Sequence, residues 1–290
     1  MARRPMNTFG NLLRAILLLS VCLVRPVAAQ PLGIACCDAD RLYDTIPSLF
    51  YDDTDYTPQG RLRWNTTRYR RKIACMAALV DSLALPIIAL QNVENETVVR
   101  DISAACTGDY IYLHRTLNTL DGMDFALLYY GDLFFPHYVE PGRRYLYVEG
   151  TLRRPVGRKP GRRFRTDTLG LLLCGEARTI GRTIGELRDE HPGTRLVVMG
   201  RLPEHELEKY GLQDALARAE QAGRGNVRST SGWRMRDRIA VDTLLRIVAG
   251  DVYIRRFLLD PAETRPLATY DRRRSVGGTS RALPIYVYLE

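Results

Sequence analysis

The residues best suited to chemistry in this 290-residue chain are its cysteines, its four histidines and its many arginines. Cys36 and Cys37 are adjacent, and neighbouring cysteines bond to each other only by straining the peptide between them, so each is expected to reach a distant partner. Cys75 and Cys106 are available in the same stretch, and Cys174 stands apart, beside Leu171-Leu172-Leu173. One disulfide with spare thiols is the other reading of the same cysteines. His114, His137, His191 and His205 are scattered, with no metal-ligand spacing. No Gly-rich phosphate loop, Gly-x-Ser-x-Gly elbow or His-Glu-x-x-His pair occurs, and Cys174 has no neighbouring His. No catalysis, cofactor or metal is therefore expected.

The ends and the charge set the context for these residues. Arg3, Arg4 and Arg14, an apolar run from Ala15 to Val24 and the small residues Val27-Ala28-Ala29 have the layout of a secretory signal over residues 1–29. That run is too short to span a bilayer, which takes about 20 apolar residues, and no later segment is longer, so a soluble secreted product with no membrane span is expected. Asn65-Thr66-Thr67 and Asn95-Glu96-Thr97 are glycosylation acceptors, which agrees with export. Without the signal and its Cys22 five cysteines remain, an odd number that leaves one thiol free or bridging two chains.

The formal charge of the whole chain is +9, carried by 39 Arg and three Lys against 33 acids. Guanidinium groups match sulfate, phosphate and carboxylate in forked geometry, so an acidic extracellular partner is expected. Arg61, Arg63, Arg68, Arg70, Arg71 and Lys72 form one basic cluster. The denser one includes Arg143, Arg144, Arg153, Arg154, Arg158, Lys159, Arg162, Arg163 and Arg165, interrupted by Pro155, Gly157, Pro160 and Gly161. The last seven of these cations are expected on an exposed loop that binds sulfated glycosaminoglycan; a solvated loop is the plainer alternative. Secretion disfavours nucleic acid as the partner.

The elements that would position these groups suggest an α+β chain in two domains, residues 30–123 and 124–290, with the boundary near Leu120 to Asp124. Leu85 to Leu90 predicts a strand, and Thr97-Val98-Val99 with Ile102 to Ala105 predicts extended chain up to Cys106. Tyr110, Leu113, Leu117 and Leu120 recur at helical spacing. A hairpin is predicted from Phe134 to Tyr138 and Arg144 to Val148, turning at Glu140 to Arg143. Helices are predicted over Thr168 to Asp189, Pro203 to Ala222 and Asp237 to Leu259, and strands over Arg195 to Met199 and Pro284 to Leu289.

The first domain resembles the CC chemokine family, and the arginine-rich chain as a whole is similar to virus-encoded CC chemokine homologues of rodent cytomegaloviruses. The matching residues are Cys36-Cys37, Thr45-Ile46-Pro47, Tyr56-Thr57, Leu85 to Leu90, Cys106 and the segment with Tyr110 and Leu113. The intervals from Cys37 to Cys75 and from Cys75 to Cys106 are longer than that family's pattern. The resemblance implies a three-stranded antiparallel sheet with a C-terminal helix, followed by an α+β domain of unknown topology. It implies disulfides Cys36–Cys75 and Cys37–Cys106, which leave Cys174 to bridge to another chain. It implies that Gln30, Pro31, Leu32, Gly33, Ile34 and Ala35, with Ile46 and Pro47, contact a chemokine receptor on myeloid cells. It also implies the alternative of a third subunit on a viral glycoprotein H/glycoprotein L entry complex at the virion envelope.

Overall fold

Residues 31–155, 164–178, 180–203 and 207–290 are described in the computed structural model. Two mixed six-stranded sheets carry the chain. The first contains β1 (Leu32–Leu42), β2 (Ile87–Val93), β3 (Ile111–Arg115) and β4 (Asp124–Tyr129). The second contains β5 (Phe134–Gly142), β6 (Tyr145–Pro155), β7 (Phe164–Cys174), β8 (Arg195–Gly200) and β9 (Leu212–Asp214). A short hairpin, β10 (Val227–Ser229) and β11 (Gly232–Arg234), precedes β12 (Arg238–Asp242), which joins the second sheet. The chain then returns to the first sheet through β13 (Ile247–Val252), passes the hairpin β14 (Tyr270–Asp271) and β15 (Arg274–Ser275), and ends on β16 (Ile285–Leu289). The orders are β13-β16-β1-β2-β4-β3 and β5-β6-β7-β8-β12-β9.

The side-chain period of a strand explains the layering. In β8, Val197 and Met199 enter the core shared by both sheets, whereas Leu196 and Val198 face the other way. There they meet Ile180, Ile184 and Leu187 of the helix α3 (Ile180–Glu190). Both faces of the strand are covered, so its residues read as one apolar run rather than as an alternation. The outer face of the first sheet is covered by α1 (Thr66–Leu83) and α2 (Glu96–Ala105). Asn65 and Asn95 start these two helices: their side-chain oxygens accept the N–H of Arg68 at 3.1 Å and of Val98 at 3.0 Å. The amide nitrogen of Asn95 donates to Asp44 at 2.9 Å. The one-turn helix α4 (Ala217–Gln221) leads towards the β10–β11 hairpin.

This architecture overturns the chemokine-like fold. Leu32 to Ala35, expected as part of a flexible receptor-binding segment, lie buried in β1, paired with β16 on one side and with β2 on the other. Gln30 lies outside the described residues; Pro31 is exposed at the start of β1, and Ile46 and Pro47 are exposed on the following loop. The five cysteines among the described residues are all free thiols. Cys36 and Cys37 sit in β1, Cys75 lies on α1 near the carbonyl of Gly277, and the Cys106 thiol turns to Ile102 O at 3.2 Å. The expected pairs Cys36–Cys75 and Cys37–Cys106 are therefore corrected: a central strand fully enclosed by two neighbours holds both members of the cysteine pair in its core.

Other expectations fail for identifiable reasons. Residues 111–115 form β3 rather than a helix, and Glu96–Ala105 is a helix despite its Val, Thr and Ile content, because the Asn95 cap and a buried face of Val98, Val99 and Ile102 override β propensity. The long helix expected from Asp237 is the strands β12 and β13. The expected boundary near Leu120 to Asp124 falls between β3 and β4, which are neighbours in one sheet. Among the described residues no helix is long and apolar enough to cross a membrane.

Candidate anion-binding cleft

Where the strands of the two sheets end together, a cleft of about 360 Å³ opens. The parallel pair β1 and β2 delivers Asp38, Asp40, Arg41, Gln91 and Asn92, and the parallel pair β7 and β8 delivers Gly175 and Arg201 just beyond their ends. The turn between β5 and β6 adds Arg144, the segment before β12 adds Arg236, and the segment before β16 adds Arg281. Polar groups concentrate here because apolar strands must end before the chain can turn through solvent.

The backbone is unusual at the same place. Asp40, Arg41, Asn92 and Arg144 all have left-handed conformations, with φ of 54°, 56°, 59° and 61°. Each such residue costs of order 1–3 kcal/mol and persists where the surroundings enforce it, commonly at binding sites. Gly200, with φ of 116°, is required before Arg201: an added Cβ would come within 2.2 Å of the Cys174 carbonyl oxygen. The N–H of Arg201 donates to that same carbonyl at 2.9 Å.

Charge pairing orders the floor. Arg236 donates to Asp38 at 2.5 Å and to Asp237 at 2.7 Å, and the buried Asn226 holds this segment by accepting the N–H of Arg236 at 2.8 Å. Burial would raise the Asp38 carboxyl, but the Arg236 charge and hydrogen bonds from Asn92 and the Asp40 N–H hold it below the usual carboxylate range. Asp40 accepts the N–H of Thr269 at 3.1 Å and lies 3.6 Å from Arg281. Asp121 lies 3.6 Å from Arg41 and 3.9 Å from Arg144, and its Oδ1 is buried without a hydrogen-bond partner. Asp124 is bound by the buried His114 at 3.0 Å and by the N–H of Leu117 at 2.9 Å.

The loops at the rim respond to pH. Glu94, 3% exposed, accepts the N–H of Asp44 at 2.6 Å and the hydroxyl of Tyr51 at 2.8 Å. Burial, assisted by the nearby Asp44, pushes its carboxyl up to about 7. Its folded value lies above its unfolded one, so its contribution is full below the ordinary carboxylate range and is lost as pH rises through about 7. Stability should fall by about 3 kcal/mol from this group between about pH 5 and pH 8. Melting curves of Glu94→Gln across that range should lack this slope; an unchanged slope would reject the assignment.

Most residues expected to act from sequence lie elsewhere. Arg158, Lys159, Arg162 and Arg163 fall outside the described residues. Of their cluster, Arg153 stacks 3.7 Å over the Phe164 ring, and Arg154 and Arg165 pair with Asp167 at 3.2 and 3.0 Å. Cys174 is 2% exposed, its thiol faces the carbonyls of Glu176 and Arg201, and burial pushes it up to about 11. A bridge from Cys174 to another chain is not reachable from this position. The arginines of the cleft, Arg144 apart, were outside every expected cluster. Their signal is nevertheless present: apolar runs that stop abruptly at polar residues, as in Ile88-Ala89-Leu90-Gln91-Asn92 and Val197-Val198-Met199-Gly200-Arg201.

A model of the endonuclease/exonuclease/phosphatase family matches residues 33–152, less than half of the chain. The same fold is found in an endonuclease/exonuclease/phosphatase family protein from Bacteroides thetaiotaomicron, with a TM-score of 0.58 and 14% identity over 90% of this chain and 98% of that one. The mannosyl-6-phosphatase of that organism aligns with a TM-score of 0.54 and 14% identity, covering 89% and 99% of the two chains. TDP2 of D. rerio, complexed with a single-strand DNA product, gives 0.53 and 12%, covering 89% and 98%. No curated protein matches.

These similarities replace the reading as a secreted chemokine, with its chemokine receptor, glycosaminoglycan and glycoprotein H/glycoprotein L partners. They also remove the grounds for excluding catalysis and nucleic acid. The motifs sought in the sequence belong to other scaffolds, whereas this fold gathers its polar groups from loops that are distant along the chain.

Phosphatases and nucleases often hold their phosphate through divalent cations. The donor set here does not fit such an ion: no three His, Cys, Asp or Glu residues converge for one among the described residues, and five guanidinium groups share the cleft with its carboxylates. A hard cation seeks several free oxygen ligands, but Asp38 and Asp124 are engaged at both oxygens.

Proposed function

We propose that this protein binds a phosphate ester in the cleft, with Arg41, Arg144, Arg201, Arg236 and Arg281 as the phosphate-facing groups. The observation that carries the reading is the convergence of five guanidinium groups from five separate segments on one cleft. Arginine forks match phosphate oxygens two at a time, and such charge-assisted bonds are about twice as strong as neutral ones. A volume of about 360 Å³ is that of a small-molecule site, suited to a phosphorylated sugar or the terminal nucleotide of a strand. The signal-like segment at residues 1–29 supports action outside the cell.

Hydrolysis of the bound ester is a second reading, favoured by the match of residues 33–152 to a family named for hydrolytic enzymes. Calorimetric titration with mannose 6-phosphate and with a 5′-phosphorylated oligonucleotide tests the first reading, and phosphate release in the same samples tests the second. Arg201→Ala and Arg281→Ala should each weaken binding about tenfold. Unchanged affinity in both variants would reject the cleft as the site.

A further inference from the structure

We infer that the cleft takes its phosphate directly on guanidinium groups, with no divalent cation between protein and ligand. The inference rests on the phosphate reading above and adds how the charge of the phosphate is met. Each carboxylate that could recruit a cation already faces a positive or N–H group. Asp38 accepts from Asn92 and the Asp40 N–H at one oxygen, both at 2.8 Å, and from Arg236 at the other. Asp124 is closed by His114 and Leu117, and Asp40 lies between Thr269 and Arg281. The remaining oxygens face guanidinium groups: Asp40 Oδ1 lies 3.6 Å from Arg281, and Asp121, whose Oδ1 is buried without a hydrogen bond, stands between Arg41 and Arg144.

Seen from every element that lines the cleft, five guanidinium groups oppose four carboxylates. A divalent ion added to this set would have to compete with the neighbouring guanidinium groups for the two incompletely bonded carboxylates, Asp40 and Asp121, each already beside an arginine. A phosphate dianion meets the opposite situation. Arg201, exposed just beyond β8, has no carboxylate partner among the described residues, and the Arg281 side chain is 60% exposed. Arg236 is held from below by Asp38 and Asp237, which fixes its guanidinium rather than leaving it to swing in solvent. Pre-placed forks of this kind supply the positive charge and the donors that a metal would otherwise bring.

Titration of the full chain with inorganic phosphate and with mannose 6-phosphate, first in excess EDTA and then in excess MgCl2 or MnCl2, tests the inference. The affinities should agree within about twofold, and Arg201→Gln with Arg281→Gln should weaken binding about tenfold or more even in EDTA. Mn2+ titrated alone should give no protein-bound signal in electron paramagnetic resonance. Binding that appears only with metal, or tightens about tenfold with it, would overturn the inference while leaving the phosphate reading intact. Absence of binding in every condition would overturn that reading and the inference with it.

Discussion

Replacing Arg236 by Ala should lower the stability of the fold by about 3 kcal/mol and remove phosphate-ester binding together. The guanidinium is shared by Asp38 and Asp237, whose side chains are only 7% and 4% exposed. Truncation leaves two buried carboxylates facing each other without a counter-charge, which is the costly half of breaking a buried pair. The partial exposure of Arg236 itself, 27%, places the effect at the lower end of that range. The acid side of the stability curve should also change. The carboxyl of Asp38 is held low in the folded state, so its contribution is present above the usual carboxylate range and is lost as pH falls. In Arg236→Ala that loss on acidification should become shallower. Urea unfolding of Arg236→Ala, Asp38→Asn and the double variant decides the matter: the double variant should be less damaged than the sum of the two single changes. Strict additivity would show that the pair does not act as a unit.

Trp64→Ala should cost about 4 kcal/mol, the largest loss expected from a core residue here. Trp64 is buried just before α1, with its ring 6.0 Å from that of Tyr270 and its Nε1–H donating to the carbonyl of Tyr43 at 2.9 Å. Tyr43 follows the left-handed pair Asp40 and Arg41 and donates its own hydroxyl to the Asp121 carbonyl at 2.7 Å. The indole therefore braces the segment that turns out of β1 into the cleft. Trp64→Phe should keep most of the packing and lose the hydrogen bond, for about 1–2 kcal/mol. Thermal and urea unfolding measure both, and a loss below about 2 kcal/mol in the Ala variant would show that the site collapses around the cavity.

Much of the local structure is legible in the chain itself. The hairpin near Phe134 to Val148 and the strands at Leu85, Arg195 and Pro284 follow from apolar residues bounded by turn formers. The failures are equally physical. Residues 237–259 read as helical because β12, buried along its whole length, loses the alternation that marks a strand, and the apolar residues of the half-exposed edge strand β13 then complete a helical period by chance. The adjacent cysteines looked like staples because residue order alone cannot distinguish two core thiols in β1 from two disulfide half-bridges.

The sequence by itself determined the hairpin near Phe134 to Val148, the strands at Leu85, Arg195 and Pro284, and the surplus of arginine over lysine. It could not say which arginines act together. Arg236 meets Asp38 across 198 positions, and Arg281 joins Asp40 only because β16 pairs beside β1. Hydrophobic periodicity reports what each segment buries locally, whereas the cleft depends on sheet order, on the parallel pairing that ends β1 with β2 and β7 with β8 at one edge, and on four residues forced into left-handed conformations there. Those are properties of long-range strand pairing, and only the tertiary structure decided them.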